Sequence, residues 1–297
     1  MIEPASPMAT DEPALSLRDP VTGRPLRVLI TRPADQAQAT ADLVERAGGE
    51  ALVYPCLVAA PPVIPLSSIL ESTLQNLQAV RPGTPIVAVT SRYAVVALVD
   101  ALTAVDPSRA IAQALHGVRI AAVGPRTAEA LASYGRPADY VAGEPGSPDP
   151  SDESSAAPLA AHLIQAQAAR RADEKPAVLF LRAAEARPTL TLALRQAGFH
   201  VVEAEAYRMQ PASPEALSPM RKALVEGRVD LVPFGSPRTV TIALSALGPQ
   251  ATTLLAKTRV GAIGQTTAHA LREAGIRVDT IAPQARFAAL LSALARL

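Results

Sequence analysis

A single cysteine, Cys56, leaves the chain without an internal disulfide and without a multi-thiolate metal site. The four histidines, at 116, 162, 200 and 269, show no ligand spacing, so no residue is assigned to a metal. Neither G-x-G-x-x-G nor G-x-x-x-x-G-K-[ST] occurs, which removes the fingerprints of dinucleotide and ATP sites. G-x-S-x-G is also missing, and serine hydrolase chemistry loses its support with it. The formal net charge of +1 gives no global field for nucleic acid or an anionic membrane. No apolar run reaches membrane-spanning length; residues 90–105 come nearest but carry Arg92 and Asp100. Residues 1–25 lack the basic region and apolar run of a signal peptide, so the expected location is the cytoplasm. Tryptophan is absent and lysine occurs only at 175, 222 and 257. Arginine therefore dominates the cations. A codon bias would explain that, and so would a need for guanidinium forks that grip carboxylates.

Hydrophobic residues, 49% of the chain, are ample for packed cores, and the length suits two domains. Residues 1–25, with several prolines and acidic groups, are expected to form a disordered extension. Strand and helix signals then alternate. Strands are predicted at 26–31, 86–89, 118–123 and 177–181, and helices at 35–47, 92–102, 125–133 and 159–170. Residues 50–60 and 201–210 read as extended segments. The acidic, proline-rich stretch 143–158 is expected to be a flexible loop or lid. This rhythm argues for parallel α/β layers.

The pattern restarts halfway along. VLITRP from Val28 matches VLFLRA from Val178, and RIAAVGPRTAEALASYG from Arg119 matches RVGAIGQTTAHALREAG from Arg259 without a gap. VAVTSRYAVVAL from Val87 matches LVPFGSPRTVTIAL from Leu231. Such a repeat is too long for a solenoid and implies two similar α/β halves with a cleft between them.

Ligands of parallel α/β sheets bind beyond the carboxyl ends of the strands, where helix N-termini offer free N–H groups to anions. Here those ends carry Thr90-Ser91, Gly124, Gly235-Ser236 and Gly264. Arg32, Arg92, Arg126, Arg182 and Arg238 sit in the same loops. A cation in a first helical turn opposes the helix dipole at a cost of roughly 0.3–1 kcal/mol, so five of them suggest bound anions or acidic partners. Thr127, Thr266 and Thr267 follow the glycines, where they serve either as caps or as hydroxyls offered to a ligand.

Taken in order, Thr31-Arg32-Pro33, Thr90-Ser91, residues 123–131 (V-G-x-x-T-A-x-A-L), 201–207 (V-x-x-x-x-x-Y) and 263–275 (I-G-x-T-T-A-x-A-L-x-x-x-G) resemble the uroporphyrinogen-III synthases. The resemblance covers roughly residues 26–297. It implies two similar parallel-sheet, flavodoxin- or Rossmann-like α/β domains joined by a two-stranded β-ladder, with the cleft between them. Domain 1 would comprise residues 26–49 and 211–297, domain 2 residues 61–198, and the ladder residues 50–60 and 199–210. It further implies a cofactor-independent, cyclising hydro-lyase of haem-type tetrapyrrole biosynthesis. Such an enzyme converts hydroxymethylbilane to uroporphyrinogen III by losing water, inverting the terminal pyrrole ring through a spiro intermediate and closing the macrocycle. A hand-over of substrate from hydroxymethylbilane synthase would accompany that role. Tyr207 matches the family's active-site tyrosine, which implies a proton or hydrogen bond donated to the departing hydroxyl. Arg32, Ser91, Arg92, Gly124, Thr127, Arg182, Ser236, Gly264, Thr266 and Thr267 would bind the substrate's carboxylates. Gly235 departs from the family pattern, standing where members often carry a hydroxyl, and Pro237 removes an N–H donor. A non-catalytic tetrapyrrole-binding or regulatory protein on the same two-lobed frame is the alternative; retention of Tyr207 and Ser91 argues against it.

Overall fold

The structure, a computed structural model, describes residues 15–80, 83–142, 156–171 and 174–297. The chain divides into two compact units, residues 1–57 with 211–297 and residues 58–210.

The first unit is built on a five-stranded parallel sheet: β1 (Arg27–Ile30), β2 (Glu50–Val53), β9 (Leu231–Phe234), β10 (Arg259–Ala262) and β11 (Thr280–Ile281), in the order β11-β10-β9-β1-β2. Its helices are α1 (Ala34–Arg46), α8 (Pro214–Val225), α9 (Pro237–Leu247), α10 (Ala251–Leu255), α11 (Gln265–Glu273) and α12 (Phe287–Ala295). Strands buried along their length, such as LVPF in β9, are what a sheet covered on both faces requires. Pro233 within β9 has no N–H to give. All four residues of β9 are in register with β10, so the missing rung falls on the β1 side, where only Val28↔Leu231 pair.

The second unit carries a six-stranded sheet: β3 (Leu57–Ala60), β4 (Ile86–Val89), β5 (Arg119–Ala122), β6 (Tyr140–Val141), β7 (Ala177–Ala183) and β8 (His200–Pro211), in the order β3-β8-β7-β4-β5-β6. Its helices are α2 (Leu70–Val80), α3 (Arg92–Val105), α4 (Ile111–Ala114), α5 (Pro125–Ser133), α6 (Ala156–Ala166) and α7 (Thr189–Gln196).

The sequence repeat maps β7 onto β1, β4 onto β9 and β5 onto β10. With β8 set against β2 and β6 against β11, the two sheets then read in the same spatial order, β3 being an added edge strand. That order, 2-1-3-4-5, is the doubly wound arrangement, but the second unit enters it at the third strand. One device recurs in both units. Asp139 accepts the Ile120 N–H at 2.8 Å and Asp279 the Val260 N–H at 2.8 Å, each with an arginine beside it, Arg136 or Arg277.

Three expectations need correction. The extended segment 50–60 is two strands in two different sheets. Pro55 and the buried Cys56 interrupt it, and Cys56 accepts the Ala212 N–H at 2.9 Å. Residues 50–53 thus pair with β1 in the first unit's sheet, only residues 57–60 lie beside β8, and residues 200–207 of β8 pair with β7. Burial pushes the Cys56 thiol up to about 12, so it stays protonated and inert.

Residues 15–25 are not a disordered extension. They form a turn held by Asp19 Oδ1, which accepts the N–H groups of Val21 and Thr22 at 3.0 and 2.8 Å. Leu17 is fully buried in the first unit's core. A leucine that fills a core slot outweighs the polar composition around it. Residues 1–14 lie outside the described residues. Of the stretch 143–158, residues 143–155 also lie outside them, and 156–158 begin α6 rather than continuing a loop.

Arg24 from the N-terminal turn grips Asp230 with two bonds of 2.8 Å, and Arg27 adds its backbone N–H at 2.8 Å and Nε at 3.0 Å. Burial alone would raise the Asp230 carboxyl, but the bonds from Arg24 and Arg27 overcome it and hold the group well below the ordinary carboxylate range. A carboxyl lowered in the folded state stabilises above its unfolded pKa, about 3.9, and that contribution drains as pH falls further. Asp230→Asn should therefore cost of order 2 kcal/mol at neutral pH, and the gap from the parent should narrow below about pH 4. Urea denaturation across pH checks this; a gap independent of pH would contradict it.

Among the described residues, no helix is long and apolar enough to cross a membrane.

Candidate active site

In the second unit the decisive irregularity is a bulge. Arg182 pairs with Glu205, but Ala183 pairs with Tyr207, so Ala206 is an extra residue on β8. Along β8, Val202, Ala204 and Ala206 face the core layer built on Leu98 and Leu179, whereas Phe199 and Val201 face the opposite layer around Phe180. Strict alternation would send Tyr207 with Val201. The bulge turns it instead onto the Leu98 layer, where it is half-buried. There its ring lies 5.3 Å from that of Tyr93 at 49°, a tilted aromatic pair. The Ala184 N–H bonds to the Tyr207 carbonyl at 2.8 Å and fixes the backbone beyond the bulge.

Tyr93 stands in the first turn of α3. Ser91 caps that helix, its Oγ accepting the Ala94 N–H at 3.1 Å. Accepting that bond leaves the Ser91 hydroxyl proton without an acceptor among the described residues. Arg92, beside it, is exposed and makes no hydrogen bond or ion pair among the described residues.

The two arginines matched by the repeat turn inward. Arg182 donates to the carbonyls of Ala183 and Ala184, both at 2.9 Å, and lies 3.4 Å from Glu203, whose other oxygen accepts the Thr191 hydroxyl. The angle denies Arg182 Nε a hydrogen bond despite that distance. Arg32 is only 7% exposed; it donates to Thr40 and Gln36 at 3.0 Å each and stacks over the Phe287 ring at 4.1 Å. Arg182 thus braces its own strand end, and Arg32 ties the end of β1 to helix α1.

Phe287 also accounts for Gly235. A Cβ on that residue would meet the Phe287 ring at 2.9 Å, so glycine stands there because the ring does. The neighbouring Ser236 caps α9, accepting the Thr239 N–H at 3.2 Å. Thr239 gives its single proton to the Ser236 carbonyl at 2.8 Å, so the 3.1 Å contact between the hydroxyls uses the Ser236 proton. Ser236 thus keeps a lone pair to offer but no donor.

Gly124 and Gly264 are the equivalent N-caps of α5 and α11, and neither helix has a side-chain cap. Both have extended backbone, which any residue adopts. A Cβ at Gly264 would meet nothing within 4 Å, and at Gly124 only the Ala142 carbonyl at 3.8 Å. Neither glycine is needed by its own turn. What glycine leaves at α11 is bare access to the N–H groups of a helix start. By contrast, α5 opens on Pro125, which has no N–H, and bonds its Thr127 N–H to the Gly124 carbonyl at 3.1 Å. Thr127 and Thr267 correspond to each other and are both buried. The exposed pair one residue earlier is Arg126 and Thr266. Among the described residues, no three His, Cys, Asp or Glu side chains gather as metal ligands would.

Residues 38–292 match the protein-family model described as uroporphyrinogen-III synthase HemD. The candidate uroporphyrinogen-III synthase of Methanothermobacter thermautotrophicus is 30% identical over 261 residues, 84% of this chain and 90% of that protein. The uroporphyrinogen-III synthase of Chlorobaculum parvum is 33% identical over 103 residues, 35% of this chain and 41% of that one. Among solved structures, uroporphyrinogen-III synthetase of Helicobacter pylori aligns with 90% of this chain and 96% of its own, at 18% identity and a TM-score of 0.49.

Proposed function

The chain belongs to the uroporphyrinogen-III synthase family, and from that membership we propose that it is a cyclising hydro-lyase that closes hydroxymethylbilane into uroporphyrinogen III. The observation that carries the reading is Tyr207, turned by a bulge towards the Ser91-capped start of α3. Its phenol donates a proton or hydrogen bond to the hydroxyl of the substrate's hydroxymethyl group as the C–O bond breaks. The hydroxyl then leaves as water rather than as hydroxide. The electron-poor carbon left behind is attacked by the terminal pyrrole at the other end of the chain. Attack through the ring's already substituted α-carbon gives the spiro intermediate. The bond from that carbon to its old methylene breaks and re-forms at the free α-carbon, which then loses its proton, so holding the linear molecule in place supplies more of the rate than the acid does.

The substrate carries many acetate and propionate carboxylates. Uncapped helix starts at Gly124 and Gly264, the free Ser91 proton and the exposed Arg92, Arg126 and Thr266 are suited to bind them. Arg32, Arg182, Thr127 and Thr267 shape the loops from behind, and Ser236 serves only as an acceptor.

Gly264→Ala separates binding from folding. With open space around the site, the added methyl should leave the thermal midpoint within about 2 °C of the parent. It should lower kcat/KM by about tenfold, mostly through KM, by keeping a carboxylate from the α11 N–H groups. Steady-state turnover of hydroxymethylbilane with product isomers resolved is the test. Unchanged kinetics would remove this loop from the substrate site, and a collapsed midpoint would show that the glycine is structural.

A further inference from the structure

We propose that Tyr93 is a positioning residue for the reaction, holding the Tyr207 ring in its working orientation. The inference rests on the reading of Tyr207 as the proton donor. Two independent features place the pair. The bulge at Ala206 moves Tyr207 off the face that alternation would give it. The Ser91 cap fixes the first turn of α3, and with it Tyr93. The rings then meet at 5.3 Å and 49°. A second ring packed at this distance and tilt narrows the torsions open to a half-buried tyrosine on a bulged strand. The corresponding residue of the first unit is Arg238, so the ring at this position belongs to the second unit alone. Tyr93 need not touch the substrate to act. Its contribution is the fraction of time that the Tyr207 hydroxyl spends where the leaving group will be.

The test uses the full chain in five forms: parent, Tyr207→Phe, Tyr93→Phe, Tyr93→Leu and the double variant Tyr93→Leu/Tyr207→Phe. Tyr93→Phe keeps a ring and should retain kcat within about twofold, whereas Tyr93→Leu keeps apolar bulk without a ring and should lose about tenfold in kcat with KM little changed. The double variant should be no slower than Tyr207→Phe alone within about twofold, since a misplaced phenol and a missing one are the same loss. Near-ultraviolet circular dichroism gives a readout independent of turnover. The chain has no tryptophan, so this band belongs mainly to its five tyrosines. Tyr93→Leu should remove the Tyr207 contribution along with its own, so that adding Tyr207→Phe changes the band little further. Full kcat in Tyr93→Leu, additive losses in the double variant, or equal damage from Tyr93→Phe would overturn the proposal. If Tyr207→Phe keeps full activity, the donor reading fails by itself. The dichroism then decides the pairing alone: a Tyr207 band that survives in Tyr93→Leu overturns it.

Discussion

Tyr207→Phe should lower kcat by about 10–100-fold, equivalent to roughly 1.4–2.8 kcal/mol of transition-state stabilisation, while KM and the thermal midpoint stay near parental values. The ring is what packs against Tyr93, and phenylalanine keeps it. Only the hydroxyl is removed, so neither the bulge nor the layer behind it should respond. The effect is bounded because a phenol is a weak acid and because the loops proposed to orient the linear tetrapyrrole remain. A fall in kcat shared equally by kcat/KM would mark an interaction made only in the transition state. An enzyme of full activity would take the proton-donor role away from Tyr207. A fall accompanied by a lowered midpoint would mark the hydroxyl as structural.

Phe287→Ala should destabilise the protein by about 3–5 kcal/mol. The ring is buried at the start of α12, lies under the Arg32 guanidinium at 4.1 Å and fills the space that a Cβ on Gly235 would enter. Removing it empties the slot beneath the Arg32 guanidinium and beside Gly235. The same contact predicts a coupling. Gly235→Ala in the parent places a methyl 2.9 Å from the ring and should cost about 1–3 kcal/mol. In the Phe287→Ala background the obstruction is gone, and the same change should be neutral or stabilising by up to about 1 kcal/mol through the unfolded chain. Urea midpoints of the four proteins close the cycle. Equal costs for Gly235→Ala in both backgrounds would show that Phe287 does not impose the glycine.

These two sites also mark what the amino-acid order discloses and what it hides. The repeat was legible because equivalent strands and helix starts need the same residue types. VLITRP and VLFLRA both end buried strands, and V-G-P-R-T and I-G-Q-T-T both open helices. The alternation that located β4, α3, β5 and α5 rests on the same short-range physics. The order of strands within each sheet was not legible, since pairing is a long-range choice. The extent of the extended segments was misread where one proline mattered: Pro55 divides 50–60 between two sheets. Tyr207 could be singled out through a family resemblance, but the bulge that aims it has no signature in A-E-A-Y. The orientations of Arg32 and Arg182 depend on Thr40, Gln36, Phe287 and Glu203, which are remote in sequence or on other elements. Distance from a glycine singles out Thr127 and Thr267, whereas burial follows the helix face, and the exposed position is one residue earlier. Phe287 and Tyr93 carry no sequence signal, because an aromatic at a helix start reads as ordinary packing until its neighbour is known.

The most direct test is the isomer composition of the product. Hydroxymethylbilane is generated in place, the full chain is added, the porphyrinogens are oxidised, and the uroporphyrins are separated by chromatography. The account predicts isomer III in excess over the isomer I formed by spontaneous closure, with the excess rising in proportion to added protein. Isomer I alone, from a folded preparation, would contradict it.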